Sequence, residues 1–316
     1  MLHSQDTTKA VIEVKARLSE KYKITNLGLA CQIFTIAIHP MENCTGMSLG
    51  KKAFITTILK QLNMLNAHNI STPMDSNVKL DLGKDRGEKQ LKDIKGYNAI
   101  VGALMYAAIA TRPDFSFAVA ALCRYNFCPF TSLLTGAKRV LQYLKSTANF
   151  PLHFSSSSTN SNHQLTGYTG PDWANDCADR KSQRGHGFLL SNRAVSWESR
   201  KQHHITMSTL ESEYITCFEG SGEAKWLLPL HRNIHSKNTS LLPINCDNQG
   251  ALSHITTGII KACTKHIVVS YYNSRHLHAP MIVDYSSVHT NENLAVILTK
   301  ALTKDKHEKF TKAMGL

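Results

Sequence analysis

The sequence predicts an α/β chain, more closely an α+β arrangement in which helices pack on a mixed sheet. Three observations predict it. Three strand-like segments follow one another, Leu165 to Ala174, Gly185 to Leu190 and Ala194 to Lys201, with polar turns between them. Helix and strand patterns then alternate to the end of the chain, which is how a sheet acquires helical layers. Upstream, apolar residues recur at helical spacing between Tyr97 and Lys145.

Taken in order, the first 70 residues read as a helix-rich but irregular opening. Lys9 to Tyr22 carries Val11, Ile12, Val14, Ala16 and Leu18 among basic residues, and Leu29 to His39 reads as extended through Ile33, Phe34, Ile36 and Ile38. From Ser71 to Gly96 the composition turns polar, with Pro73, Gly83 and Gly87, and predicts a linker or long loop. Tyr97 to Tyr125 is a helix, a sharp turn and a second helix. The break falls at Thr111-Arg112-Pro113-Asp114, where Pro113 disfavours helix at Arg112 and Asp114 begins a new one. Ala137 to Lys145 is a third helix. The Ser, Thr and Asn run from Ser155 to Asn162 cannot bury a core and marks the best boundary. The domains expected are therefore 1–96, 97–154 and 163–316. In the last, a long helix from Thr209 to about Asn233 precedes a strand at Leu242 to Cys246 and a helix opening near Asn248. Another helix is expected around Lys265 to Leu277, then a strand at Met281 to Val288 and a helix from Leu294.

Composition narrows the function. With 36 Lys+Arg against 23 Asp+Glu the net charge is +13, an excess that favours a polyanionic partner, nucleic acid first, because cations on phosphates release condensed counterions. No apolar run reaches the roughly 18 residues of a membrane span, and no signal peptide opens the chain. An intracellular protein, cytoplasmic or nuclear, is expected. The eight cysteines are scattered without C-x-x-C spacing and read as reduced core thiols. Neither a nucleophile elbow nor a phosphate-cradling glycine loop is present.

What remains is carboxylates at strand ends and helix starts: Asp172 in Tyr168-Thr169-Gly170-Pro171-Asp172-Trp173-Ala174, Glu211 at the opening of the long helix, and Asp247 directly after Leu242 to Cys246. Acidic groups at neighbouring strand ends converge on hard cations such as Mg²⁺, and two such ions suit phosphodiester hydrolysis. Each residue also has a structural role open to it. Glu211 lies three after Ser208, the capping-box spacing; Asp247 with Asn248 can start the next helix; Asp172 can be a turn residue after Pro171.

A run of ordered motifs then resembles one family. Ile100-Val101-Gly102-Ala103-Leu104-Met105-Tyr106, Thr111-Arg112-Pro113-Asp114 and Ala137-Lys138-Arg139-Val140-Leu141-Gln142-Tyr143-Leu144-Lys145 are followed by Asp172-Trp173-Ala174, Ser208-Thr209-Leu210-Glu211-Ser212-Glu213-Tyr214, Asp247-Asn248-Gln249, Thr264-Lys265-His266-Ile267 and Leu294-Ala295-Val296-Ile297-Leu298-Thr299-Lys300. Together they resemble the end of copia-type LTR retrotransposon Pol polyproteins, from the tail of reverse transcriptase through the connection into ribonuclease H. The resemblance implies a ribonuclease H-like domain preceded by a partial, helix-rich thumb and connection region, with the polymerase's paired aspartates, fingers and most of its palm expected to lie outside the chain.

The family activity so implied is hydrolysis of the RNA strand of an RNA:DNA hybrid with two Mg²⁺ or Mn²⁺ ions held by four carboxylates. Glu211 matches the helix glutamate and Asp247 the aspartate after the fourth strand, and these are the expected metal ligands. Gly170 stands where the first-strand aspartate belongs, and Val296 where the last-helix aspartate belongs. The copy is expected to be a catalytically impaired ribonuclease H; the alternatives are a non-catalytic nucleic-acid-binding remnant and an active nuclease that recruits Asp172. The expected partners are hybrid or other nucleic acid and the rest of a retrotransposon polymerase. Phosphate contacts are expected from Lys138, Arg139, Lys145, Arg180, Lys181, Arg184, Arg200 and Lys201.

Overall fold

The computed structural model describes residues 5–25, 28–41, 46–78, 87–155, 164–235, 241–257 and 282–316. The Ser/Thr/Asn run from residue 156 onward, the helix expected around Lys265 to Leu277 and the Thr264-Lys265-His266-Ile267 motif lie outside the described residues.

Helix α1 (Gln5–Lys21) leads to a hairpin of β1 (Gln32–Ile33) and β2 (Ile36–Pro40). Its two-residue turn has both φ positive, Phe34 at 47° and Thr35 at 61°, the backbone that matches strand twist in tight hairpins. Strand β3 (Gly46–Gly50) pairs antiparallel with β2, and β4 (Leu152–Ser155) pairs antiparallel with β3, Leu49 opposite Leu152. The extended segment expected at Leu29 to His39 is thus the β1–β2 hairpin, and the otherwise irregular helix-rich opening expected from the sequence holds a four-stranded sheet followed by α2 (Lys52–Gln61). These strands are two to five residues long, too short for a period-2 signal.

The helix, turn and helix expected around Pro113 are α3 (Ile94–Thr111), a 3-10 turn (Pro113–Phe115) and α4 (Ser116–Cys123). Helix α5 (Thr131–Ser146) starts six residues earlier than its apolar pattern suggested. Asp93 caps α3 by accepting the Gly96 amide at 2.8 Å. One apolar cluster joins Ile55, Ile58 and Leu59 of α2 to Tyr97, Val101 and Leu104 of α3 and to Leu133, Val140, Leu141 and Leu144 of α5.

The second sheet has five strands, β5 (Leu165–Asp172), β6 (Gln183–Leu190), β7 (Arg193–Lys201), β8 (Leu242–Cys246) and β9 (Val283–Ser287), in the order β7-β6-β5-β8-β9. The first three form an antiparallel meander, and β8 runs parallel to β5 and β9 to β8. This order, with the long helix α6 (Thr209–His235) between β7 and β8, is that of the ribonuclease H fold. Helix α7 (Gln249–Thr257) follows β8. One sheet face packs on α6 and α7 through Phe188, Tyr214, Cys217, Leu228, Ile244 and Cys246. The other packs Leu189, Leu294, Leu298, Phe310 and Met314 beneath a 3-10 turn (Leu294–Leu298) and helix α8 (Lys304–Ala313). The single helix expected from Leu294 is therefore two pieces.

Side chains join the two regions. The Trp197 indole donates to the Ala108 carbonyl at 3.1 Å, Arg124 pairs with Asp176 at 3.0 Å, and His307 of α8 lies 2.9 Å from the Asp114 carbonyl. No helix among the described residues is long and apolar enough to cross a membrane.

Candidate metal centre and nucleic-acid face

Asp247 follows directly on the C-terminal end of β8, an interior strand, and Asn248 takes over the capping of α7, its Oδ1 accepting from the Ala251 amide at 3.0 Å. Asp247 is thereby left to face α6. The carboxyl it meets is Glu213: the ligand atoms of Glu213, Cys246 and Asp247 all lie within 4.8 Å of one another, the one such group of three among the described residues. The Cys246 thiol donates to Glu213 Oε2 at 3.5 Å.

Glu211, the residue expected at this place, is outside that group. Its Oε2 accepts from the Met207 amide at 2.7 Å while Ser208 Oγ accepts from the Glu211 amide at 3.1 Å, so it closes a capping box at the start of α6. The reason is helical phase. Tyr214, Cys217, Ser221, Ala224 and Leu228 form the buried stripe of α6, at the spacing of one helix face. Glu213 immediately precedes that stripe and reaches Cys246 and Asp247 at the end of β8. Glu211, two residues back and about 200° away at 3.6 residues per turn, does not. The sequence carried the signal in the Leu210-Glu211-Ser212-Glu213-Tyr214 order, but only the buried phase separates the two glutamates.

Burial raises the Glu213 carboxyl well above its ordinary pKa, with the neighbouring Cys246 and Asp247 adding in the same direction. Cys246 is itself pushed up by its hydrogen bond with Cys217 and by burial.

Gly167 and Tyr168 pair in parallel with Ile244 and Asn245, and the same register carried on sets Gly170 level with Asp247. A Cβ built at Gly170 would sit 3.2 Å from Asn293 Nδ2 and 3.8 Å from the Ala295 Cβ. Gly170 thus faces the 3-10 turn that carries Val296. Asn293 ties that turn to β5, its Nδ2 donating to the Thr169 carbonyl at 2.9 Å and its Oδ1 accepting from the Ala295 amide at 3.0 Å. Gly170 supplies no carboxylate at this position, and Val296 offers no donor atom. Asp172, one pleat further along β5, accepts from the Asn175 side-chain amide and lines a separate cleft with Asp176 and Arg124. A donor set of Glu213, Asp247 and a buried thiol does not fit a pair of hard divalent ions, which take oxygen ligands.

The eight predicted phosphate contacts divide. Lys138, Arg180 and Arg200 are exposed and Lys181 is half-buried. The other four serve the fold. Arg184, 4% exposed, pairs with Glu219 at 2.5 Å and Glu198 at 3.2 Å. Lys201 pairs with Asp176 and with Asp179 at 2.8 Å. Arg139 donates to Thr72 Oγ1 at 3.0 Å, and Lys145 donates to the Ala67 carbonyl, so both staple the 67–72 segment to α5. Charge counting cannot distinguish a cation spent on an internal partner from one aimed outward.

No protein-family model matches the chain. It is 32% identical over 311 residues to the retrovirus-related Pol polyprotein from transposon TNT 1-94 of Nicotiana tabacum, covering 97% of this chain and 23% of that protein. Against the retrovirus-related Pol polyprotein from transposon RE1 of Arabidopsis thaliana it is 33% identical over 272 residues, 86% of this chain and 18% of the relative. The chain therefore spans about a fifth of the length of these relatives. Among solved structures, the N-terminal ribonuclease H domain of Rv2228c from Mycobacterium tuberculosis superposes with a TM-score of 0.33 and 11% identity, over 48% of this chain and 99% of that one. An overlap that weak adds nothing to the strand order already described.

Proposed function

Because the chain belongs to the retrovirus-related Pol polyproteins of transposons, we propose that its ribonuclease H-like region holds RNA:DNA hybrid and that its hydrolytic step is lost or severely weakened. One observation carries the reading: the site's β5 position, level with Asp247, is Gly170, whose side opens on Asn293 and Ala295 with no carboxylate to supply. The helix ligand of this reading is Glu213, not Glu211. In family members with all four carboxylates, divalent ions activate water and stabilise the leaving oxygen. Here Glu213, Asp247 and the Cys246 thiol stand in place of that arrangement.

Hybrid binding does not need the missing ligands, because it rests on cations along the surface, and the net charge of +13 supplies the long-range attraction. The domains we propose are a polymerase-derived opening (1–96), connection helices (97–154) and the ribonuclease H-like region (163–316). A second reading, an active nuclease using Asp172, finds less support, since that carboxylate is engaged by Asn175 and lines another cleft.

The test is purified protein on labelled RNA:DNA hybrid with Mg²⁺ and, separately, Mn²⁺. The reading expects salt-sensitive binding and no cleavage at an ordinary enzyme rate of about 1 per second. Cleavage at that rate, lost on Asp172→Asn, would transfer the role to Asp172.

A further inference from the structure

Glu213, Cys246 and Asp247 fail as a holder of two hard ions, yet they converge more closely than their places in the chain require. Cys246 and Asp247 are consecutive, and in an unbroken strand consecutive side chains point to opposite faces. Here β8 ends at Cys246, the chain bends at Asp247, and α7 starts at Gln249. That bend brings the Asp247 carboxylate round to the Cys246 thiol, within 4.8 Å of it and of Glu213. The thiol is also hydrogen-bonded with Cys217, one turn on from Glu213 along α6, and the Cys217 sulfur lies 3.5 Å from Thr169 Oγ1 of β5.

The spacing is that of ligands on a tetrahedral ion. A sulfur about 2.3 Å and an oxygen about 2.0–2.2 Å from zinc, at the tetrahedral angle, stand roughly 3.5 Å apart. Cys246 Sγ and Glu213 Oε2 are 3.5 Å apart. One thiolate and two carboxylates suit a borderline-soft ion. The same thiolate is a poor ligand for Mg²⁺, which demands near-ideal octahedral oxygen ligands and dehydrates reluctantly. Burial sharpens the choice. Cys246 is fully buried and Glu213 nearly so, whereas Asp247 is half-buried and marks the way in.

We propose that this centre takes one thiophilic divalent cation of the zinc class, through Cys246 Sγ and one carboxylate oxygen each from Glu213 and Asp247, with solvent in the fourth position. Coordination deprotonates the thiol, and its proton leaves to solvent. The ion clamps α6 to the end of β8. So held, it stands in the way of the two-ion arrangement, because a single ion has no neighbour with which to share the attacking and leaving oxygens. The inference rests on Glu213 and Asp247 forming one centre and is independent of hybrid binding.

The experiment titrates the full chain, freed of metal by a chelator and kept reduced, with Co²⁺ as a spectroscopic stand-in for Zn²⁺. One equivalent is expected to bring up a thiolate-to-cobalt charge-transfer band together with the intense visible bands of tetrahedral cobalt. An equivalent of Zn²⁺ is expected to bleach both, and millimolar Mg²⁺ to leave them. Zn²⁺ should also raise the melting temperature where Mg²⁺ does not, because an ion that binds only the folded chain stabilises it. Cys246→Ser is expected to lose the charge-transfer band. Asp247→Asn keeps the thiol, so it is expected to retain that band while weakening Zn²⁺ binding about tenfold or more, the least that even outer partners of a bound metal are worth. A variant carrying Cys31→Ser, Cys44→Ser, Cys128→Ser, Cys177→Ser and Cys263→Ser is expected to behave like the unmodified chain. The proposal is overturned if no band appears, if the band persists in Cys246→Ser or vanishes in the multiple variant, or if Mg²⁺ displaces the cobalt. Should Cys246→Ser fail to fold, Asp247→Asn decides, since unchanged Zn²⁺ affinity there overturns the proposal too. No hybrid enters the assay, so none of these outcomes bears on the hybrid-binding reading.

Discussion

The Arg112 guanidinium forks onto the Asp114 carboxylate two residues away, Nε to Oδ1 at 2.9 Å and an Nη to Oδ2 at 2.7 Å, with the two residues 1% and 2% exposed. The remaining Arg112 donors reach the Thr147 carbonyl at 2.9 Å and its hydroxyl at 2.6 Å, and the Tyr143 hydroxyl donates to Asp114 Oδ2 at 2.6 Å. Burial works against both charges, yet their mutual attraction prevails: Arg112 is raised and Asp114 lowered. The Thr111-Arg112-Pro113-Asp114 motif is thus a buried clasp that closes α3 onto α5, and through the Asp114 carbonyl it also holds His307 of α8.

Breaking such a pair on one side strands the other charge, which costs about 3–5 kcal/mol. Arg112→Ala and Asp114→Ala are each expected to lower unfolding free energy by that amount in urea titrations. Tyr143→Phe, which removes one hydrogen bond to a charged acceptor, is expected to cost about 1.5–3 kcal/mol. Losses under about 1 kcal/mol for either charge deletion would show the clasp to be dispensable.

A pH dependence follows from His307. Burial pushes its imidazole below the ordinary value of 6.5, and the attraction of Asp114 offsets this only in part. The folded chain therefore keeps His307 neutral where the unfolded chain accepts a proton, so its contribution is full above pH 6.5 and is lost as the pH falls toward the depressed folded value. Other groups titrate in the same range, so the comparison is between proteins. Between pH 7 and 5.5 the unmodified protein is expected to lose more melting temperature than His307→Gln. Parallel curves would remove His307 from the account.

Much of this fold was legible from periodicity. Strands β5 to β8 and helix α6 have eight-, nine- or longer-residue signals or apolar runs bounded by turn residues, and their order alone indicates the mixed sheet. Strands β3 and β4 were not legible, because Gly46 to Leu49 find their partners in Leu152 to Ser155, more than a hundred residues away. A strand defined by its neighbour leaves little trace in its own residues. At the site, Asp247 and the Gly170 and Val296 replacements could be read from motif order. Glu213 could not, since two glutamates two residues apart sit on different sides of a helix and only the packed stripe assigns them. The internal partners of basic residues are hidden from the sequence for a related reason: Arg184 and Lys201 find theirs on other elements.

The two glutamates separate by experiment. Glu211→Ala is expected to cost about 0.3–1 kcal/mol, the scale of a favourable charge at a helix N-terminus, and to leave hybrid affinity unchanged. Glu213→Gln removes a carboxyl from the Asp247 contact without touching the cap, so helix stability should hold. In any variant that gains hydrolysis, Glu213→Gln is expected to abolish it and Glu211→Gln to spare most of it. The reverse pattern would return the ligand role to Glu211.

Restoring the lost carboxylates tests the centre most directly. In Gly170→Asp the new Cβ presses Asn293 Nδ2 at 3.2 Å, so Asn293, held by the Thr169 carbonyl and the Ala295 amide, must give by a few tenths of an ångström. Backbone strain is not an obstacle, because Gly170 is absent from the positive-φ residues. The β5–β8 register, Tyr168 opposite Asn245, carried two residues on puts position 170 beside Asp247. Val296→Asp instead adds a charge to a residue packed against the Leu294 and Leu298 cluster, so it carries a packing cost that Gly170→Asp does not. Gly170→Asp alone is therefore expected to raise Mg²⁺-dependent cleavage of hybrid more than Val296→Asp alone. The double variant should exceed the product of the two single gains, since ligands of one cluster act as a unit and their effects are not additive. Hydrolysis measured under single-turnover conditions, with hybrid affinity measured alongside, distinguishes regained chemistry from altered binding. A double variant that binds hybrid, melts like the unmodified protein and still does not cleave would mean that the defect lies elsewhere than in Gly170 and Val296.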